Sequence, residues 1–369
     1  MIETKGFYDY LQTKQLDMYM GVPDSLLKNI CACIKENCCT KKNIITANEG
    51  NAVAMACGYH IATGKYGVVY MQNSGQGNTV NPLLSLADED VYKIPMLLLI
   101  GWRGEPGIKD EPQHKKQGKV TLSLLDTMGI EYIILEDNYK NQIDYCYEYM
   151  KKYNKPIALI VRKGLFSDYK VSKKISRYTL TREEALKIIL KMLDDEEFIV
   201  STTGKTSREI FELREAGGQG HANDFLTVGS MGHTASIAFG MTLGTDKNIY
   251  CIDGDGSFLM HAGGFGVIAQ NAQNNFKYIL INNGAHESVG GQPTVAFDID
   301  IQTILKGFGF TNVYKATEKD EIKDAMRMLK TKQKSALIIY TKQGSRSDLG
   351  RPTTTPQENK IAMMEKLSK

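Results

Sequence analysis

Short runs of consecutive aliphatic or β-branched residues recur along the chain, with helix-patterned stretches between them, and this pattern excludes most folds. In the first half the runs are IITA (44–47), VVYM (68–71), MLLLI (96–100), YIIL (132–135) and IALIV (157–161). In the second half they are FIVS (198–201), LTVG (226–229), IYCI (249–252), YILI (278–281) and ALIIY (336–340). A strand wetted on one face alternates apolar and polar residues; an unbroken apolar run belongs to a strand covered on both faces. Parallel strands need long crossovers, and the helical stretches supply them. The expected fold class is therefore α/β, with two doubly wound parallel-sheet domains.

The 369 residues are about twice a usual domain, which agrees with two such units. Between them a charged stretch lacks strand or helix period until Thr181 and Glu184, a Thr-x-x-Glu capping signal, open a helix. The expected division is 1–165, a linker at 166–181, and 182–369. Residues 342–356 (KQGSRSDLGRPTTTP) read as a loop before a last amphipathic helix. No internal sequence repeat is found, so any kinship of the halves is architectural.

Hydrophobic residues at 42% and charged residues at 24% describe a globular chain and exclude a disordered one. The net charge of +3 comes from 45 basic and 42 acidic residues spread along the chain, so nucleic acid is not an expected partner. The opening MIETKGFYDYLQ has no apolar signal core, and seven cysteines are an odd number, which fits a reducing cytoplasm. The CAC and CC pairs between Cys31 and Cys39 lack the spacing of a zinc site and read as a helix end. The apolar run 96–100 is far too short to cross a membrane.

The densest chemistry lies in IYCIDGDGSFLMHAGGFGVIAQNAQNNFKYILINNGAHESVGGQP (249–293). A strand ends at Asp253, and Gly254, Asp255, Gly256 and Ser257 form a tight turn into a helix expected to run to about Asn274. Glycines let the backbone approach a ligand, and a helix N-terminus presents free N–H groups to an anion. The next strand delivers Asn282 and Asn283 at its carboxyl end, where parallel sheets bind ligands. A carboxylate and an amide oxygen beside a diphosphate are hard ligands suited to Mg²⁺. A Gly-Asp-Gly turn alone is an ordinary bend; its pairing with the Asn pair on a neighbouring strand gives it meaning. STTGKTSRE (201–209) lacks the first glycine of a phosphate loop, since Ile199 stands in its place.

The GDG…NN pattern resembles that of the thiamine-diphosphate-dependent enzymes. The resemblance implies that Asp255, Asn283 and the carbonyl of Ala285 bind Mg²⁺, and that Gly254, Gly256 and Ser257 line the diphosphate. The choice of Asn283 over Asn282 comes from aligning NNGA with the family's pattern; the residues alone leave it open. In GSMG (229–232), Gly229 would offer its carbonyl to the aminopyrimidine and Met231 would support the bent cofactor. Glu49, between a strand and a small-residue helix, would hydrogen-bond the pyrimidine N1′. By itself it reads equally as a first-turn acid complementing the helix dipole. Its acid–base role requires enough burial to raise its pKa.

Further segments resemble the branch that contains phosphonopyruvate and sulfopyruvate decarboxylases: GVPDS (21–25), QNSGQGNTVNPL (72–83), GWRGEPG (101–107), DEPQHKKQG (110–118), NNGAHESVGGQPT (282–294) and GSRSDLGRPTTTP (344–356). The resemblance implies decarboxylation of a small 2-oxo acid, 3-phosphonopyruvate before sulfopyruvate, in phosphonate biosynthesis. An acetolactate-type carboligase fits less well because it carries a third domain, and a silent cofactor-binding protein because Glu49, Asp255 and Asn283 are all present. Asp24 and His114 are candidates for proton transfer, with Ser25 a one-residue alternative to Asp24. Arg103, Lys109, Lys115, Lys116, Arg346 and Arg351 are candidates for the substrate's anionic end, at least half of them expected to be plain surface charges. The family plan also implies a homo-oligomer, with the cofactor between the first half of one subunit and the second half of another.

Overall fold

The computed structural model describes residues 1–170 and 176–369, so part of the expected linker, 171–175, lies outside the described residues. The chain forms two compact units, Met1–Lys173 with Val289–Gln292, and Lys174–Ser288 with Pro293–Lys369.

The first unit is built on six strands, Met18–Gly21 (β1), Asn43–Ile45 (β2), Gly67–Gln72 (β3), Leu97–Gly101 (β4), Glu131–Ile134 (β5) and Ile157–Val161 (β6). Their order is β2-β1-β3-β4-β6-β5, and every pairing is parallel. Alternate side chains of one strand enter opposite cores. Val68, Tyr70, Leu97, Leu99, Ile157 and Leu159 pack on one face, and Val69, Met71, Leu98, Ile100, Ala158 and Ile160 on the other. That two-sided burial is why the runs contain no polar alternation.

The second unit repeats the plan with Phe198–Ser201 (β7), Asp224–Leu226 (β8), Ile249–Gly254 (β9) and Phe276–Asn282 (β10). Two short strands follow, Ala285–His286 (β11) and Gln292–Pro293 (β12), then Asn312–Ala316 (β13) and Ser335–Tyr340 (β14). The large sheet has the order β13-β14-β10-β9-β7-β8, again all parallel. The same alternation splits β9, with Ile249 and Cys251 in one core and Tyr250 and Ile252 in the other.

Four details differ from the sequence reading. β1 has four residues and no β-branched side chain, and β13 is an edge strand with every second or third residue buried, so neither shows an unbroken apolar run. β8 ends at Leu226, before the expected LTVG, because Thr227 turns its hydroxyl to the Ser201 carbonyl (2.6 Å). The long helix expected after the GDG turn is two helices, Asp255–Met260 and Gly264–Asn271, separated at His261, Ala262 and Gly263. Phe166 belongs to the first core and Leu180 to the second, while Thr181 and Glu184 form the expected reciprocal cap. Cys31 and Cys33 are buried and all seven cysteines are free thiols. Among the described residues no helix is long and apolar enough to cross a membrane.

Candidate active site

In each unit the polar candidates gather at the carboxyl ends of the parallel strands, where the helices that follow begin. In the first unit, β2 leads through Asn48, whose side chain caps the helix Glu49–Thr63 at the Asn51 N–H. Glu49 is the first helical residue and only 5% exposed. Its Oε2 accepts from Asn78 Nδ2 (2.8 Å), and burial raises its pKa above the ordinary carboxylate value against the pull of that amide. The helix dipole alone would favour the ionised form, so burial outweighs it here.

Asp24, just beyond β1, is fully buried; it accepts from Gln72 Nε2 (2.6 Å) and from the Leu26 N–H (3.0 Å). Burial raises its pKa, opposed by Gln72 and by Arg103. Arg103 follows β4. Asp110 holds it by both carboxylate oxygens, with Nε at 2.8 Å, while Nη1 donates to Ser25 Oγ (2.8 Å). Asp24, Ser25, Arg103 and Asp110 thus form one connected set. His114, in the first turn of the helix Pro112–Thr127, is also buried. Burial first and Arg103 second lower its pKa to about 4, so the ring is neutral near pH 7, and its buried Nδ1 has no hydrogen-bond partner among the described residues. Lys109, Lys115 and Lys116 point to solvent.

In the second unit, β9 and β10 are adjacent, which brings Asp255 beside the end of the strand carrying Asn282 and Asn283. Asp255 is 3% exposed, and burial raises its pKa to about 7 in spite of the hydrogen bond from Thr294. Asn282 is bound within the fold at both ends of its amide, to the Ala296 carbonyl (3.0 Å) and the Gly284 N–H (3.1 Å). Asn283 Oδ1 accepts from the Ala285 N–H (3.1 Å), and its Nδ2 donates to Glu287 (2.8 Å). Ser257 ties the two loops together by accepting from the Gly232 N–H (3.0 Å). Gly256 has a steric reason: a Cβ there would lie 2.8 Å from His286 Nδ1 and 3.3 Å from the methyl of Met231.

Gly229 and Met231 are partly buried in the same loop, which contains Ser230 and Gly232 at positive φ. Arg346 is already matched by Glu183 (2.9 Å), Glu212 and Asp348 (3.1 Å), which leaves little of its charge for a substrate. Arg351 is exposed. The sequence reading missed Asn78, Gln72, Asp110, Thr294, His286 and Glu287. All six lie inside the quoted segments, and their roles depend on contacts across the fold.

Asp255, Asn283 and Ala285 offer a carboxylate, an amide oxygen and a main-chain carbonyl, and Gly256 beside Asp255 has no room for a Cβ. Hard oxygen donors of this kind fit a divalent cation such as Mg²⁺.

Residues 4–129 match the thiamine pyrophosphate enzyme N-terminal TPP binding domain, and residues 202–340 match the C-terminal TPP binding domain. The chain is 32% identical to a phosphonopyruvate decarboxylase of Streptomyces hygroscopicus, over 92% of this chain and 87% of that one. The chain belongs to the phosphonopyruvate decarboxylase family of thiamine pyrophosphate enzymes. A second member, from Streptomyces viridochromogenes, is likewise 32% identical, over 92% of this chain and 88% of that one. A sulfopyruvate decarboxylase of Methanosarcina acetivorans is 28% identical over 88% of this chain and 87% of its own length. As in this family's two-domain description, the two matched regions fall on the two sheets, and no further sheet domain stands between them among the described residues.

Proposed function

We propose that the protein decarboxylates 3-phosphonopyruvate to phosphonoacetaldehyde and CO₂ in phosphonate biosynthesis, as a cytoplasmic homo-oligomer requiring thiamine diphosphate and Mg²⁺. One observation carries the choice of substrate: two phosphonopyruvate decarboxylases match at 32% identity, against 28% for the sulfopyruvate decarboxylase. Thiamine diphosphate, when bound, would supply a nucleophilic carbon and an electron sink for decarboxylation.

The chain's own groups hold and move protons around that chemistry. Glu49, buried and raised in pKa, shares a proton with the aminopyrimidine N1′. Gly229 offers a carbonyl to the same ring and Met231 packs beneath it. Gly254, Gly256 and Ser257 line the diphosphate, while Asp255, Asn283 and Ala285 hold Mg²⁺. His114 accepts or relays a proton through its buried Nδ1, and Asp24, whose pKa burial raises, is the second candidate for proton transfer. Arg103, held in a fixed orientation by Asp110, meets the substrate's anionic end, with the exposed Lys109, Lys115 and Arg351 as further cations. An active site completed by a second copy of the chain requires at least a dimer.

The test is a side-by-side turnover assay of phosphonopyruvate and sulfopyruvate with Mg²⁺ and thiamine diphosphate. A higher kcat/KM for phosphonopyruvate supports the reading, and a higher value for sulfopyruvate replaces it with the neighbouring activity. Sedimentation of the active protein as a monomer would exclude the shared site.

A further inference from the structure

An asparagine that ligates a metal must present oxygen, yet its amide group is nearly symmetric in shape and turns over easily. Asn283 is held in one of its two orientations at both ends of its amide: Oδ1 accepts from the neighbouring Ala285 N–H (3.1 Å), and the nitrogen is fixed from outside. Its Nδ2 donates to Glu287 Oε2 (2.8 Å), and an ionised carboxylate has no proton to donate, so the nitrogen must face Glu287 and the oxygen must face away.

Glu287 is itself fixed from two other elements. Arg182 Nη1 donates to Oε2 (2.8 Å) from the helix Arg182–Met192, and Lys205 Nζ donates to Oε1 (3.0 Å) from the helix Lys205–Ala216. Arg182 turns its other edge to Glu209 in a buried two-point pair, at 2.7 Å on each oxygen. Two cations face two carboxylates, so the network is neutral, and Glu287 accepts three hydrogen bonds, from Arg182, Lys205 and Asn283. Lys205, in the stretch that superficially resembled a phosphate loop, serves a carboxylate instead.

We propose that Glu287 is a positioning residue that locks the Asn283 amide with its oxygen toward the divalent cation, and that Arg182 and Lys205 lock Glu287. The proposal rests on the reading of Asn283 as a metal ligand. Groups that orient a ligand typically matter 10- to 100-fold in metal affinity.

The experiment is calorimetric titration of Mg²⁺ into the full-length protein with thiamine diphosphate present, for Glu287→Gln in two backgrounds. A glutamine at 287 can donate as well as accept, so the Asn283 amide keeps only the Ala285 N–H to orient it, and Mg²⁺ binding should weaken at least about tenfold. In the Asn283→Asp background both outer atoms are oxygen and orientation ceases to matter, so adding Glu287→Gln should cost less than about threefold. Equal losses in the two backgrounds, or none in the native one, would overturn the lock. Asp255→Ala and Asn283→Ala separate the two levels: if neither weakens Mg²⁺ binding, the metal-site reading itself fails. Should Glu287→Gln not fold, Lys205→Met at the edge of the network replaces it, with an expected loss of about threefold; no loss would again overturn the proposal.

Discussion

Gly75 touches the Glu49 carboxylate so closely that a Cβ on it would lie 2.2 Å from Oε1. The glycine of the QNSGQGN segment is therefore required by a residue on another element, with no call on a special backbone conformation. Alanine at 75 must displace Glu49 or the backbone. The expected cost is about 1–3 kcal/mol of folding stability by denaturant titration, because the site is overpacked. Decarboxylation should fall by about two orders of magnitude with it, as the acid–base group moves. Gly77, with nothing within 4 Å of a built Cβ, is the control: alanine there should leave the unfolding midpoint unchanged.

Glu49→Gln keeps the shape and removes the acid. The rate should drop by about 10²–10⁴ while thiamine diphosphate remains bound, read by single-turnover kinetics and by direct titration. The same variant changes the pH dependence of stability. Between the ordinary value of 4.5 and the raised value in the fold, native Glu49 keeps a proton that the unfolded chain has lost. Stability contributed by this group is thus present at low pH and lost as pH rises through that window, and glutamine should abolish the slope.

His114 gives the opposite sign. Its pKa falls from 6.5 to about 4 on folding, so between those values the unfolded chain binds more protons than the native one. Stability falls as pH is lowered through that interval, by at most about 3 kcal/mol from this group. His114→Gln should flatten that part of the stability profile between pH 6.5 and 4, measured by urea melts at stepped pH.

Asp110 holds Arg103, the cation proposed to meet the substrate, by both carboxylate oxygens. Removing it in Asp110→Ala leaves a half-buried guanidinium without its two-point partner, and should cost about 1.5–3 kcal/mol. Arg103→Lys loses the fork geometry and should raise KM for phosphonopyruvate about tenfold with a smaller effect on kcat. A change confined to kcat would remove Arg103 from substrate binding.

Asp255→Ala should weaken Mg²⁺-dependent retention of thiamine diphosphate by at least about tenfold, seen by calorimetry. The readout is binding, so loss of activity from other causes does not enter it.

Much of the site was legible because each motif has a local cause. The GDG turn shows in its glycines, and Glu49 shows in its place between a strand and a helix. Their surroundings were not legible. Asn78 meets Glu49 from 29 positions away, and Glu287 meets Arg182 across 105. Nothing in a linear pattern marks such pairs. The reading of Arg346 illustrates the reverse: a loop arginine looks available until Glu183, Glu212 and Asp348 are found around it.

What the sequence determined by itself was the layered plan, since unbroken apolar runs call for strands covered on both faces, and the placing of polar and glycine-rich turns at the strand ends; the metal, diphosphate and proton roles came from family resemblance and stay proposals. The tertiary structure decided which of those residues are desolvated, charged or already paired. Asn282 and Asn283 are chemically identical and adjacent, and the oxygen of each accepts a backbone N–H, yet the nitrogen of one donates to the Ala296 carbonyl and that of the other to the Glu287 carboxylate. The difference is one of position in the fold: hydrogen-bond partners and burial come from strands and helices packed side by side, and these set pKa and amide orientation where residue type cannot.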